Sequence, residues 1–390
     1  MSHPLISHNS DLKRLRDEGF EVEIRSGLLL VGSVPYFTAK GVVEYGTLVS
    51  ELTLAGDVTT APATHLVYFT GDHPCQKDGT EIPQIRHGVE KKLLAEGLEV
   101  QRSFSNKPPG GYPDFYEKMA RYAQVISAPV QSEHPSIRPQ TFNVIDYVDE
   151  GSVFEYLDTA SSRAGIGVLS RKLKVPKVGI VGLGGTGAYV LDLLAKTEPD
   201  EIHLYDGDVL LQHNAFRAPG APSKDELRAK PMKVTYYRDL YSKMRRGIIP
   251  HEAFISPSNV HELAALDFVF VCVDKGSVKK LITDTLRAAG VGFIDVGMGA
   301  KMVDGALIAV LRVTTSTGRK NDHVPARIPQ SDGDDDDYRQ NIQIADLNCL
   351  NAALAVLKWK KLRTFYQDLE GEHHCTYTTN CNLLTSEEIP

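Results

Sequence analysis

No apolar run in this 390-residue chain approaches the roughly 20 residues needed to cross a bilayer, which excludes a membrane-spanning helix. The segment Met1-Ser-His-Pro-Leu-Ile-Ser7 has no basic start followed by an apolar core, so a secretory signal is not expected. Cysteine is scarce, and the five present are an odd, scattered set. They predict reduced thiols and a cytoplasmic setting. Nor is positive charge in excess: a net charge of -7 offers no general attraction to nucleic acid or anionic lipid, so neither is an expected partner. No internal repeat is found.

A hydrophobic content of 42% with 24% charged residues is that of an ordinary globular protein. At roughly 100 to 200 residues per domain the length suffices for two full cores. Residues 1–150 read as a smaller β-rich α+β domain, with strand-like runs at Phe20 to Ile24, Leu28 to Val34, Gly46 to Leu52 and His65 to Thr70 between Gly, Pro and Asp turns. Within it, Arg102 to Tyr112 reads as a Pro/Gly loop, Asp114 to Ile126 as a helix, and the Pro-rich Ala128 to Pro139 as the exit. Residues 151–390 read as the second domain.

The second domain is the more informative. Lys177-Val-Gly-Ile-Val181 is a short apolar strand, Gly182-Leu-Gly-Gly-Thr-Gly187 a glycine turn, and Ala188 to Lys196 has helical spacing. Gly182, Gly184, Gly185 and Gly187 let backbone approach phosphate oxygens, and the helix that follows points its N-terminal amides at them. A second strand, Glu201 to Tyr205, delivers Asp206 where an acid can meet ribose hydroxyls. Thus far any dinucleotide-binding Rossmann unit fits.

Asp208, Asn214, Arg217, Lys230 and Lys233 follow, and a third strand, Leu266 to Val273, ends in Asp274. Cations for phosphate and a strand-end acid for magnesium suit ATP with a divalent ion; a nicotinamide cofactor needs neither. Gly292 to Gly297 and Gly305 to Arg312 continue the strand series, and Ile342 to Leu362 reads as an amphipathic helix. Between them residues 314–340 lack periodicity and contain the run Ser331 to Asp337, whose adjacent carboxylates repel and suit a solvated loop.

The glycine turn, the Asp206-Gly-Asp208 strand end, the spaced Asn214 and Arg217, Lys233 near a Lys-Pro and Asp274 together resemble the ThiF/MoeB superfamily, the adenylating enzymes of sulfur-carrier biosynthesis and ubiquitin activation. The resemblance covers about residues 160–365. It implies a Rossmann-like mixed sheet in which Asp206 binds ribose, Asn214, Arg217 and Lys233 the phosphates, and Asp274 magnesium. It implies ATP- and Mg-dependent adenylation of the C-terminal glycine of a ubiquitin-like protein, with 314–340 as the crossover loop over that tail. It also implies a homodimer, Arg163 resembling the upstream arginine inserted into the partner's ATP site. The first domain is then expected to recruit the substrate or a downstream conjugating protein.

The chain departs from the family in having no cysteine within 314–340 and no paired Cys-x-x-Cys motifs. Cys272 and Cys349 read as packing residues. Cys375 and Cys381, in a polar tail with His373 and His374, read as exposed, though adjacent His-His-Cys suits tetrahedral zinc poorly. Cys75 lies in an exposed-looking turn where His73 and Lys77 would lower its pKa, and its His-Pro context faintly resembles ubiquitin-conjugating enzymes. Cys75, Cys375 and Cys381 are therefore candidate acyl acceptors. The threonines of Thr314-Thr-Ser-Thr317 are candidate oxyester formers, given an adjacent base. Two other readings stay open: an NAD- or FAD-dependent oxidoreductase resting on the glycine turn alone, and an inactive scaffold subunit of an activating enzyme.

Overall fold

The computed structural model describes residues 2–144, 151–332 and 342–387. The chain divides into two compact units, residues 1–150 and 151–390. Most of the acidic run at 331–337, and the rest of the 314–340 segment beyond Asp332, lie outside the described residues.

The first unit opens with helices α1 (Ser2–His8) and α2 (Ser10–Asp17), followed by strands β1 (Glu21–Arg25), β2 (Leu28–Phe37), β3 (Val43–Glu51), the short β4 (Leu54–Ala55) and β5 (Val58–Thr59), β6 (Leu66–Phe69), β7 (Arg86–Ala95) and β8 (Leu98–Ser105). Six of these form an antiparallel sheet in the order β1-β2-β3-β6-β8-β7. Helix α3 (Phe115–Glu133) lays Phe115, Met119, Tyr122, Ala123 and Ile126 into the core, an i, i+4, i+7, i+8, i+11 stripe. Asp114 caps it by accepting from the Glu117 amide at 2.8 Å.

Two expectations for this unit are corrected. Arg102 to Ser105 belongs to β8, where Phe104 is buried opposite Val67, and the loop begins only at Asn106. The chain does not leave the helix at the Pro-rich segment: α3 continues through Pro129 to Glu133. Proline forfeits one backbone hydrogen bond, but buried Ile126 and Val130 flank it and hold the last turn on the core.

Lys118 on α3 is fully buried; its Nζ donates to Ser50 Oγ and to the Thr64 carbonyl, each at 2.8 Å. Desolvation lowers its pKa to about 8, with Glu51 opposing the shift.

The second unit begins with α4 (Thr159–Arg163) and α5 (Gly167–Ser170) and then alternates strand and helix: β9 (Lys177–Val181), α6 (Gly185–Ala195), β10 (Glu201–Tyr205), α7 (Gln212–Ala215), α8 (Lys224–Ala229), α9 (Lys233–Tyr241), β11 (Ile248–His251), β12 (Phe268–Val271), α10 (Gly276–Ala289) and β13 (Gly292–Val303). Then come β14 (Ala306–Ser316), α11 (Val324–Arg327), α12 (Ala345–Leu362), β15 (His374–Thr378) and β16 (Leu383–Glu387). One mixed sheet runs β11-β10-β9-β12-β13-β14-β15-β16. Its first five strands are parallel and the rest antiparallel.

Helices α6 and α12 cover the parallel half. Leu191, Leu194, Ala352, Ala355, Val356 and Trp359 are buried with Val178 and Ile180 of β9 in the largest core. Of the tail read as polar and exposed, His374–Thr378 form strand β15, paired with β14, whereas Cys381 beyond it is exposed. The strand escapes notice because it is half-buried, shows no inward–outward alternation, and is built from His, Cys, Thr and Tyr.

Candidate functional site

After β9 the chain adds β10 on one side and returns to place β12 on the other. The crevice beyond the carboxyl ends of these strands is a topological switch point, where open α/β sheets take their ligands. The glycine turn lies there. Gly182 has φ of +89°, and a Cβ on it would come within 2.8 Å of the Cys272 carbonyl oxygen, so both conformation and crowding require glycine. A Cβ on Gly187 would drive into the Gly182 carbonyl, and one on Gly185 into the side chain of Asn348. Gly184 differs: open space faces it, and as N-cap of α6 it leaves the first helical amides without a side-chain acceptor. Uncapped N–H groups at the positive end of a helix, with room in front, form an anion site.

Asp206 is 7% exposed and holds that turn in place. Its Oδ2 accepts the Leu183 amide at 2.6 Å and its Oδ1 the Asp208 amide at 2.8 Å. Burial pushes its pKa up, against the opposing pull of Lys233 and the two amides. Lys233, at the first turn of α9 and 5% exposed, places Nζ 2.8 Å from Asp208 Oδ2 and 3.8 Å from Asp206 Oδ1. Asp208 is the carboxylate of the pair that solvent reaches. Lys230 is exposed and ends α8 in a left-handed conformation.

Asn214 is buried, and its Oδ1 accepts the Leu211 amide at 2.9 Å, capping α7. Arg217 follows, half-buried, with its Nε enclosed and without a hydrogen-bond partner among the described residues. Asp274 is exposed, three residues past the end of β12. No group of three or more His, Cys, Asp or Glu side chains able to hold a metal occurs among the described residues. A divalent ion here would take Asp274 and complete its shell with phosphate and water, the usual habit of magnesium. Arg163 ends α4 and is exposed.

The site includes residues not anticipated from the sequence. Asn348 of α12, fully buried, accepts the Thr186 hydroxyl at 2.8 Å and donates to the Arg217 carbonyl at 3.1 Å, tying the glycine turn to the arginine loop. Its signal was a polar residue, repeated at Asn351, on a helix face whose periodicity demands apolar ones. Asp295 of β13 is fully buried between Lys279 Nζ at 2.7 Å and Arg312 Nη2 at 2.6 Å, a contact set drawn from the consecutive elements α10, β13 and β14.

The cysteine expectations need correction. Cys75 is 1% exposed and bridges to Phe37 and Glu81, its Sγ donating to the His73 carbonyl. Burial, then Glu81, Asp72 and Asp78, pushes its pKa up, and Lys77 is paired with Glu133 instead. Cys375 lies in β15 opposite Val313, and burial raises its pKa to about 11. Neither is a thiolate near neutral pH. Cys272, half-buried against the core, is also raised by burial, whereas Cys349 is exposed rather than packed. Cys381 is exposed. Thr314, Thr315 and Ser316 are buried in β14, the Thr314 hydroxyl 3.0 Å from His374 Nδ1.

A doubly covered mixed sheet with a glycine turn at its switch point, an acid at the next strand end and basic residues beyond defines a nucleotide-binding domain of the adenylyltransferase type. The chain belongs to the ThiF family, whose model matches residues 161–359, just over half of its length. Residues 10–159 match a second model, described as a domain of unknown function, DUF6791. No curated protein matches. Among solved structures, PaaA is similar over 57% of this chain and 75% of its own, at 18% identity and a TM-score of 0.44. MccB of E. coli with MccA-N7isoASN is similar over 59% and 69%, at 18% identity and 0.47. MccB of E. coli with ATP is similar over the same shares, at 20% identity and 0.44. No helix among the described residues is long and apolar enough to cross a membrane.

Proposed function

We propose that this protein uses ATP and magnesium to adenylate the C-terminal glycine of a ubiquitin-like protein. The observation that carries the reading is the enclosed, unpartnered Nε of Arg217, held through Asn348 against a turn whose amides are uncapped. A buried guanidinium nitrogen with no acceptor, beside open helix amides, suits a polyphosphate. Lys233 and Arg217 would balance phosphate charge, Asp208 and Asp206 the ribose hydroxyls, and Asp274 the magnesium ion. The metal would spread charge on the departing pyrophosphate.

In the reaction the substrate carboxylate oxygen bonds to the α-phosphorus, the bond from that phosphorus to the bridging oxygen breaks, and pyrophosphate leaves. The chain's part is to hold the carboxylate in line and to neutralise charge, which needs no protein nucleophile. Burial disfavours Cys75 and Cys375 as acyl acceptors and leaves Cys349 and Cys381 as the exposed thiols; in this reading the next acyl transfer goes to a nucleophile outside this chain. The first unit recruits the substrate or a conjugating protein in this reading, and Arg163 serves the neighbouring copy in a homodimer. An oxidoreductase has no use for Arg217, Lys233 and Asp274, nor does an inert scaffold.

Intact-mass analysis after incubation with ATP, magnesium and ubiquitin-like proteins ending in glycine tests this. An AMP adduct on the partner is expected, with no hydroxylamine-sensitive adduct on the enzyme. Nucleotide binding without any adenylated partner would remove the proposed substrate class; an enzyme adduct would overturn the external acceptor.

A further inference from the structure

A cavity of about 410 Å³ lies in the second unit, between the α4–α5 segment, the loop joining α6 to β10 and the end of α12. These segments meet where the parallel strands begin, whereas the nucleotide turn lies where they end. The volume falls in the range of small-molecule sites, about 300–1,000 Å³. Phe154, Leu169, Leu173 and Phe365 give it an apolar lining.

Two opposite charges line the same space, Glu198 and Lys360. Both are half-buried, and neither makes a hydrogen bond or ion pair through its side chain among the described residues, with each other or otherwise. Lys360 Nζ lies over the rings of Phe365 and Tyr366, at 5.0 and 6.0 Å from their centroids. The other charged residues of the lining are occupied. Asp158 caps α4 through the Ser161 amide at 2.9 Å, and Lys196 pairs with Asp192 at 2.7 Å. Burial raises the pKa of Glu198, only partly offset by Arg171 and Lys174, and burial lowers that of Lys360. Leaving a carboxylate and an ammonium half-desolvated and apart is costly unless something bridges them.

We propose that this cavity binds a free α-amino acid with an apolar side chain, its ammonium on Glu198, its carboxylate on Lys360 and its side chain among Phe154, Leu169 and Leu173. The ligand is zwitterionic because the wall offers one acceptor and one donor of full charge. Its side chain is apolar because Phe154, Leu169 and Leu173 face the same space.

Calorimetric titration of the full chain with leucine and phenylalanine, in the absence of nucleotide, tests this. Saturable binding is expected. N-acetyl-leucine and leucinamide, each missing one charge, should bind about tenfold more weakly, the loss that goes with one charge-assisted hydrogen bond. Glu198→Gln should equalise leucine and N-acetyl-leucine, and Lys360→Met leucine and leucinamide, while thermal melts matching that of wild type report an intact fold in both variants. No binding by wild type, or unchanged discrimination in folded variants, would overturn the proposal. Because the readout involves neither ATP turnover nor a protein substrate, its failure is separable from failure of the adenylation reading.

Discussion

The Thr186 hydroxyl donates to Asn348 Oδ1 at 2.8 Å, so the first turn of α6 and the first turn of α12 are joined by a partly buried hydrogen bond beside the glycine turn. The same amide donates to Arg217. Asn348→Ala should leave Thr186 and the Arg217 loop unbraced and lower AMP transfer roughly 10- to 100-fold, the equivalent of about 1–3 kcal/mol. The loss should fall on turnover more than on nucleotide affinity. Steady-state kinetics with pyrophosphate release checks this; unchanged turnover would show that Arg217 needs no brace.

The four glycines of the turn are not equivalent. Gly187→Ala would force a Cβ into the Gly182 carbonyl and should cost the second unit several kcal/mol, seen as insoluble or thermally labile protein. Gly184→Ala meets open space and should fold normally, yet its methyl would occupy the approach to the α6 amides. Thermal melts should separate the two variants, and ATP affinity should fall in Gly184→Ala despite a native melt.

Asp274→Ala should keep the fold, since the residue is exposed, and abolish magnesium-dependent AMP transfer. Titration of magnesium against ATP-bound protein measures this directly, and retained turnover would place the metal acid elsewhere.

Lys118 gives the first unit a pH signature. Its folded pKa of about 8 lies below the ordinary 10.5, so between these values the unfolded chain binds more protons than the folded one. The cost of burying the Lys118 ammonium is therefore relieved as pH rises from about 8 towards 10.5, so the unit gains stability over that range, a gain absent in Lys118→Met. The difference in denaturation midpoint between wild type and this variant should change across pH 7.5 to 9.5 in that direction. A constant difference would mean that the ammonium is not strained by burial.

The second unit was the more legible in sequence because its signals are local: an apolar strand, glycines at fixed spacing, an acid at the next strand end. What escaped depends on approach of distant segments. Asn348 meets Thr186 across 162 residues of chain. Asp295 acquires two cations from elements on either side of it, and nothing in its immediate sequence announces them. Cys75 was misjudged for the same reason. Polar neighbours make its turn look exposed, whereas backbone bridges to Phe37 and Glu81 hold it against the end of β2 with its side chain buried. In α3, proline composition suggested an exit that packing overrode.

Helices α6 and α12 run side by side with the same sense, since their first turns share the Thr186–Asn348 bond and their last turns flank the Glu198 cavity. Their aligned peptide groups therefore give this unit an electrical polarity, anion-seeking at one end of the sheet and cation-seeking at the other. The first turns, where the proposed nucleotide phosphates would lie, thus favour negative charge, and the last turns favour the ammonium end of a zwitterion bound in the Glu198 cavity.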